Sequence, residues 1–533
     1  MIMIDKLNAL TVRFPKWSCF IIGLIAAFAM PPFHLWPLLA FGLSMAVIIV
    51  SRQSNPWRGG WCAFYFGVGF FTMGLWWVAN ALMLDLTEYW WAIGFSILGL
   101  PVLLSLLWFV AGYVTCRLAR PNTLARGVLF LTLLCAAEYG RAFNLSGFPW
   151  NLFGYMWGNV PPLMQLASLG GAYFVTALTV LWMGLPALAR LASFDAEHAR
   201  KRVLVLAGVT LVTFIGGYAW GALRLVNHPT QMRTDVGVAI VQPNITPDEK
   251  WEVDKTLTHF MRHVNISQQA IDNKNIKDGG FKTVLLVWPE TSLEERLIMT
   301  VPEAPQALIK LMGNHPYQTR LVSGLWREVP AETPGRLPGY FNSIGVVSVT
   351  SDGKLNLDDL YDKHHLVPFG EYVPLEKTLG LTPLVGFAGF GWGSGPKVLR
   401  SDSMPPVSPM ICFEAIFPWY GASQGAEWLV NTSNDGWYGN TAGPYQHLVM
   451  TQFRAIEQGK PVARSATTGI SALIDPYGRV VQSLPYNRRG FIAGALPAYL
   501  RQGTLYTMFG EALFFLTLTV GAAVFIHLRM RKI

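Results

Sequence analysis

Residues 408–417 read SPMICFEAIF. An apolar run of strand length carries a thiol, Cys412, and two places on a carboxylate, Glu414. A buried strand accepts cysteine readily, because the thiol behaves as a small apolar side chain. It accepts glutamate only when the charge is paired. The stretch 409–414 therefore reads as a core strand that delivers a thiol and an acid together.

Segments of the same β-branched texture lie on both sides. VGVAIVQ (236–242), TVLLVW (283–288), RLVSGLW (320–326), SIGVVSV (343–349), EWLVNTS (427–433) and GISALIDP (469–476) read as strands. Residues 302–313 and 444–458 carry helical periodicity. Several strands are apolar on both faces, as in a sheet covered on both sides. The spacing predicts one α/β domain over 233–499, without internal repeats.

Two other positions complement the thiol. TVLLVW runs into Pro289, where the ladder is expected to stop, and Glu290 follows. Ligand sites collect at strand ends in α/β folds. In YDKHHLVPFGEYVPLE (361–376), Lys363 and Glu371 are set among prolines and aromatics, a stiff backbone suited to placing a charge. A carboxylate removes a thiol proton as general base. A lysine lowers a thiol pKa and holds an oxyanion, with the Phe413 N–H as a second donor. His364 and His365 offer a competing Cys–His dyad. Without clustered partners they predict no metal site, and no cofactor is expected.

The rest of the chain is different. Over 533 residues, 52% are hydrophobic and 14% charged, so much of the chain suits lipid. Apolar runs near 17–33, 35–51, 61–83, 90–116, 126–144, 162–189, 203–225 and 507–528 give about eight spans. The net charge of +9 sits at the ends of these runs, which argues for topology and against nucleic acid. Lys6, Arg13 and Lys16, then Arg52 and Arg58, then Arg117, Arg120 and Arg126, then Arg190, Arg200, Lys201 and Arg202, then Arg529, Arg531 and Lys532 occupy alternate ends. Positive flanks mark the cytoplasmic side, so both termini are expected there and the α/β domain outside. The first run lacks a cleavage site and is not expected to be removed. Domains are expected at 1–232 (spans one to seven), 233–499, and 500–533 (span eight and tail). Cys19, Cys62, Cys116 and Cys135 fall in apolar segments, so the outer domain has no internal disulfide. Glu138 and Arg141 are expected to pair locally or snorkel at a membrane end. The GFPW run (147–150) is expected to be an aromatic belt.

WPE (288–290), KHHLVPFGE (363–371) and ICFE (411–414), in that order, resemble the nitrilase superfamily with its Glu, Lys and Cys. With HLVPFGEYVPLE, NDGWYG (434–439) and GPYQH (443–447), nearly the whole chain resembles the bacterial apolipoprotein N-acyltransferases. The resemblance implies a membrane helical bundle plus a nitrilase-like αββα sandwich. It implies Glu290 as general base, Lys363 as catalytic lysine and Cys412 as nucleophile. Glu371, Phe413, Glu414, Trp251 and Trp437 are implied as supporting or substrate-binding residues. Phe413 stands where many relatives have Tyr, so ring packing rather than a hydroxyl is carried over to it.

The implied reaction moves an sn-1 acyl chain from a phospholipid, phosphatidylethanolamine by implication, to Cys412 as a thioester. The N-terminal amine of an S-diacylglyceryl-cysteine apolipoprotein then takes it. The implied location is a cell inner membrane with the sandwich on the periplasmic side. The Gly- and aromatic-rich loop 382–397 is expected to act as a lid that admits lipid chains. Two rivals stand beside this reading: a membrane-tethered amidase using the same three residues on small amides, and a non-catalytic lipoprotein-binding protein.

Overall fold

The computed structural model describes residues 10–193, 199–250, 252–313, 315–329, 339–374, 383–384, 389–422 and 424–530. Lys6, Arg531, Lys532 and Trp251 lie outside them, as do 382 and 385–388 of the expected lid. The chain forms two compact units, Met1–His228 with Leu505–Ile533, and Pro229–Thr504.

In the first unit, helices occupy all eight expected spans. Pro56–Met83, Leu86–Leu118, Ala167–Ala192, Ala199–Asn227 and Ala512–Met530 are long and apolar enough to cross a membrane. Pro15–Ala29 and Trp36–Arg52 are shorter apolar helices, and Leu124–Gly140 is a helix of 17 residues. Without a hydrophobic drive between helices in lipid, close backbone approach does the packing. Gly23 and Gly69 show it: a Cβ on Gly23 would collide with the Phe66 carbonyl, and one on Gly69 with the Phe20 carbonyl. Glu138 and Arg141 pair locally, 2.7 Å apart, but they are buried and do not snorkel. The expected aromatic belt at GFPW is corrected. Trp150 is buried against Trp77, and the Phe148 and Trp150 carbonyls accept from Arg141, because a buried guanidinium must satisfy its donors.

The second unit is two six-stranded sheets. The strands are β1 (Met232–Gln242), β2 (Thr283–Glu294), β3 (Gln318–Val329), β4 (Gly339–Val349), β5 (Leu355–Asp362), β6 (Leu399–Ser401), β7 (Met404–Ile411), β8 (Trp428–Ser433), β9 (Val462–Ala466), β10 (Ser471–Ile474), β11 (Val480–Leu484) and β12 (Gly490–Pro497). One sheet runs β12-β1-β2-β3-β4-β5, the other β11-β10-β9-β8-β7-β6. Val238, Ile240, Leu285 and Val287 of the first sheet share a core with Ile411, Trp428, Val430 and Leu473 of the second. The sheets thus pack face to face. Helices Thr256–Ile271 and Glu303–Met312 cover the outer face of the first sheet through Phe260, Leu308 and Leu311. Helix Gly443–Gln458 packs against the second. This is the expected αββα sandwich.

Two expected strand ends are revised. β2 does not stop at Pro289. Trp288 pairs with Ser323 and Leu293 with Leu325, so Pro289–Ser292 bulges out opposite Gly324 and the ladder then resumes. Proline is tolerated there because a bulge needs no ladder N–H from it. β7 stops earlier than expected, at Ile411, and a 3₁₀ turn begins at Cys412.

Candidate active site

Each reactive side chain sits where a strand is interrupted. At the bulge of β2, Thr291 has φ +47°, a left-handed conformation unusual for a β-branched residue. Ser292 Oγ donates to the Pro289 carbonyl (2.8 Å) and closes the turn. Gly324 of β3 permits the close approach, since a Cβ there would stand 2.6 Å from the Glu290 Cα. The bulge turns the Glu290 carboxyl inward, 7% exposed.

Lys363 directly follows β5, and its N–H donates to the Asn342 carbonyl of β4 (2.8 Å). That antiparallel contact sets Lys363 and Asn342 side by side. The ammonium is 1% exposed and clamped by Glu371, 2.9 Å to Oε1 and 2.8 Å to Oε2. It stands 3.6 Å from Glu290 Oε1. The Asn342 amide bridges the carboxylates, donating to Glu290 Oε1 at 2.7 Å and Glu371 Oε1 at 2.9 Å. Glu371 also accepts the Val367 N–H at 2.8 Å, so it is fixed by its own loop. Burial pulls the Lys363 pKa down. Glu371, then Glu290 and Cys412, outweigh it and hold the ammonium above the ordinary lysine range.

Cys412 has φ +47° and is 6% exposed. Glu414 explains how such a turn persists. Its carboxylate accepts the Ile411 N–H (2.8 Å), the Tyr361 hydroxyl (2.6 Å) and the His364 and His365 N–H groups (3.0 and 3.1 Å). One buried acid thereby ties the cysteine turn to the lysine loop. Burial raises the Glu414 pKa against these hydrogen bonds. Ser433 Oγ stands 3.4 Å from the Cys412 sulfur and donates to Asp435 at 2.7 Å, while the Tyr438 hydroxyl lies 4.0 Å from the sulfur. His447 places Nε2 3.0 Å from the Cys412 carbonyl and Nδ1 2.9 Å from Asp435. Arg464 pairs with the same aspartate; burial works to raise Asp435, but Arg464, then His447, hold it well below the usual carboxylate range.

Burial, then the Glu290 charge, push the Cys412 thiol up to about 12, against the pull of Lys363. Lys363 acts as expected and pulls this pKa down, but desolvation and the Glu290 charge outweigh it. These influences favour the protonated thiol at rest. A group that removes its proton during attack is needed, and the facing carboxylate has that capacity.

The structure brings Glu290, Lys363, Cys412, Glu371 and Glu414 together. The Phe413 ring packs against His365 and Phe417, with centroids 5.7 and 5.4 Å away. Trp437 is half-buried in the short turn Asp435–Tyr438, where its neighbour Tyr438 reaches the sulfur. His364 turns Nδ1 to the Gly393 carbonyl, and the His365 ring packs tilted against Phe417, with centroids 4.0 Å apart. The histidine that meets Cys412 is His447, at the main chain. Asn342, Ser433, Tyr438 and His447 carried no chemical signal in the sequence, although three of them lie in or beside the NDGWYG and GPYQH runs. The described part of the loop after Gly389 is tied down: Phe390, Gly391 and Gly393 donate to the carbonyls of Glu371, Tyr340 and Lys363.

Residues 22–185 match the apolipoprotein N-acyltransferase N-terminal domain family, and residues 237–503 match the carbon-nitrogen hydrolase family. An apolipoprotein N-acyltransferase of Agrobacterium fabrum is 35% identical over 89% of this chain and 88% of its own. That of Rhodopseudomonas palustris is 33% identical over 92% and 90%, and that of Caulobacter vibrioides 33% over 96% and 94%. Among solved structures, an amidase from Nesterenkonia sp. aligns over 50% of this chain and 92% of its own at 19% identity, with a TM-score of 0.33. On the breadth and level of the first three matches, the chain belongs to the apolipoprotein N-acyltransferase family.

Proposed function

We propose that this chain is a membrane N-acyltransferase that moves a fatty acyl chain from a phospholipid to the N-terminal amine of a lipoprotein, through a thioester on Cys412. The observation that carries the reading is the meeting of Glu290, Lys363 and Cys412, with Lys363 held by Glu371 and in reach of Glu290.

Glu290 takes the Cys412 proton as the sulfur attacks the sn-1 ester carbonyl. Lys363 gives two of its three donors to Glu371. The third, with the Phe413 N–H, serves the oxyanion; one such donor is worth roughly 3–4 kcal/mol. The C–O bond breaks, and the Glu290 proton passes to the departing lysophospholipid alkoxide. The deprotonated amine of an S-diacylglyceryl-cysteine then attacks the thioester. Glu290 removes a proton from that nitrogen and returns it to the sulfur as the amide forms. Phosphatidylethanolamine is the proposed donor, and diacylated apolipoprotein the acceptor.

The helices of the first unit suit a membrane protein. The alternating basic flanks support cytoplasmic termini with the sandwich on the opposite side, and an inner-membrane location with a periplasmic sandwich follows from the family resemblance. Domains at 1–232, 233–499 and 500–533 are proposed on the same basis.

Full-length protein in detergent, mixed with phospholipid carrying a labelled sn-1 chain, should acquire a hydroxylamine-sensitive label on Cys412. A diacylated lipopeptide should discharge it to a triacylated product. Discharge to free fatty acid at the same rate with or without the lipopeptide would make the chain a hydrolase instead. Absence of label would leave only binding.

A further inference from the structure

Lys250 closes the short helix Pro247–Lys250, and its Nζ donates to the Glu290 carbonyl at 2.8 Å. That carbonyl belongs to the bulge and is followed by the left-handed Thr291, whose Oγ1 also donates to it at 2.9 Å. The general base thus has its carboxylate held by Asn342 and its main chain held by an ammonium. Strained turns at a site persist only where their surroundings over-determine them.

The charge balance gives Lys250 a second task. Lys363 faces both Glu290 and Glu371, so negative charge exceeds positive before the thiol ionises. Among the described groups that act on Lys250 are Glu290 and Glu294 from β2 and Cys412 from the turn after β7, and Lys250 in turn acts on His263. His263 and His259, on helix Thr256–Ile271, line a pocket of about 30 Å³ with Lys250 and Glu294. Burial pushes His263 down to about 3, so it stays neutral and brings no competing charge.

We propose that Lys250 is a positioning residue of this site, fixing the Glu290 turn through its carbonyl and supplying a second cation that favours the thiolate during attack. The proposal deepens the acyl-transfer reading, and it rests on Glu290 and Cys412 reacting together. Burial, against the pull of Glu290, Cys412 and Glu294, lowers Lys250 to about 8. Its charge is therefore present below that pH and lost above it. An arginine in its place stays charged throughout.

The test is alkylation of Cys412 by iodoacetamide in the full-length protein, followed by intact mass from pH 6 to 10. It needs no acyl donor. At pH 7, Lys250→Met should react about tenfold more slowly than wild type, the equivalent of one pKa unit. That gap should narrow by at least about threefold above pH 9, while Lys250→Arg keeps its rate advantage at high pH. A purely structural role would give a gap that does not change with pH, and that result overturns the proposal. So does Lys250→Met reacting within about twofold of wild type at pH 6–7. If Lys250→Met fails to fold, wild type against Lys250→Arg decides: parallel profiles to pH 10 overturn the proposal, and divergence above pH 8 supports it. Because alkylation is independent of phospholipid, a wild type that alkylates normally but takes no label from phospholipid counts against acyl transfer alone.

Discussion

Arg141 in the helical unit and Lys363 in the sandwich are both cations held inside the protein by glutamate. Around Arg141 everything is saturated. Glu138 meets it at 2.7 and 3.0 Å, the Trp108 indole donates to the same carboxylate, and two main-chain carbonyls take the remaining donors. One positive charge meets one negative charge, three residues apart at the end of one helix. Around Lys363 the charges do not balance. One ammonium serves two carboxylates from different parts of the chain, and a buried thiol stands in their field. A closed pair is architecture, because nothing remains for it to do. An unbalanced cluster is chemistry, because a proton on the sulfur can move to one of its members.

The comparison breaks first at the sulfur. Cys412→Ala should abolish the phospholipid-derived label completely while leaving thermal unfolding near wild type. Label retained on another residue would mean the wrong nucleophile. Lys363→Met should cut single-turnover acylation by about a thousandfold, the upper range for an oxyanion donor. A loss below tenfold would reduce Lys363 to a packing role.

Arg141→Met tests the other side. Removing one partner of a buried pair leaves an uncompensated charge and costs about 3–5 kcal/mol. Thermal unfolding in detergent should show that loss, whereas Cys412 in the folded fraction should alkylate at the wild-type rate. If Arg141→Met instead slows alkylation with unchanged stability, the pair is not merely architectural. The sulfur offers a milder probe. With its pKa raised to about 12, chiefly by burial, the thiolate fraction keeps growing as pH rises. Wild-type alkylation should therefore climb through pH 10, past the point near 8.5 where an ordinary cysteine levels off. A plateau below pH 9 would indicate a resting thiolate. The smallest effect belongs to His364, exposed and turned to a carbonyl. His364→Ala should acylate within about twofold of wild type, in keeping with surface substitutions.

Much of this was legible in the residues. Apolar length placed the helices, because crossing a bilayer demands a run of fixed size whatever its neighbours. Strands buried on both faces announced themselves by continuous apolar character, as in 283–288 and 343–349. LNLDDLYD (355–362) did not, because β5 closes one edge of its sheet and carries Asp358, Asp359 and Asp362 for partners on other segments. Cys412, Glu290 and Lys363 were found as motifs. Of their supports, Glu371 and Glu414 came with the motifs, but Asn342, Tyr438 and Lys250 did not: they are ordinary polar residues until something stands beside them.

Composition and order along the chain settled which stretches are apolar enough to cross a bilayer, which form sheet, and which three side chains are chemically complementary. Those properties are local, fixed by hydrophobicity and by functional group. Folding settled where β2 and β7 are interrupted, that the thiol is desolvated enough to stay protonated, and that an asparagine and a second lysine hold the base. These depend on distance and dielectric, and neither exists until segments distant along the chain are packed against one another.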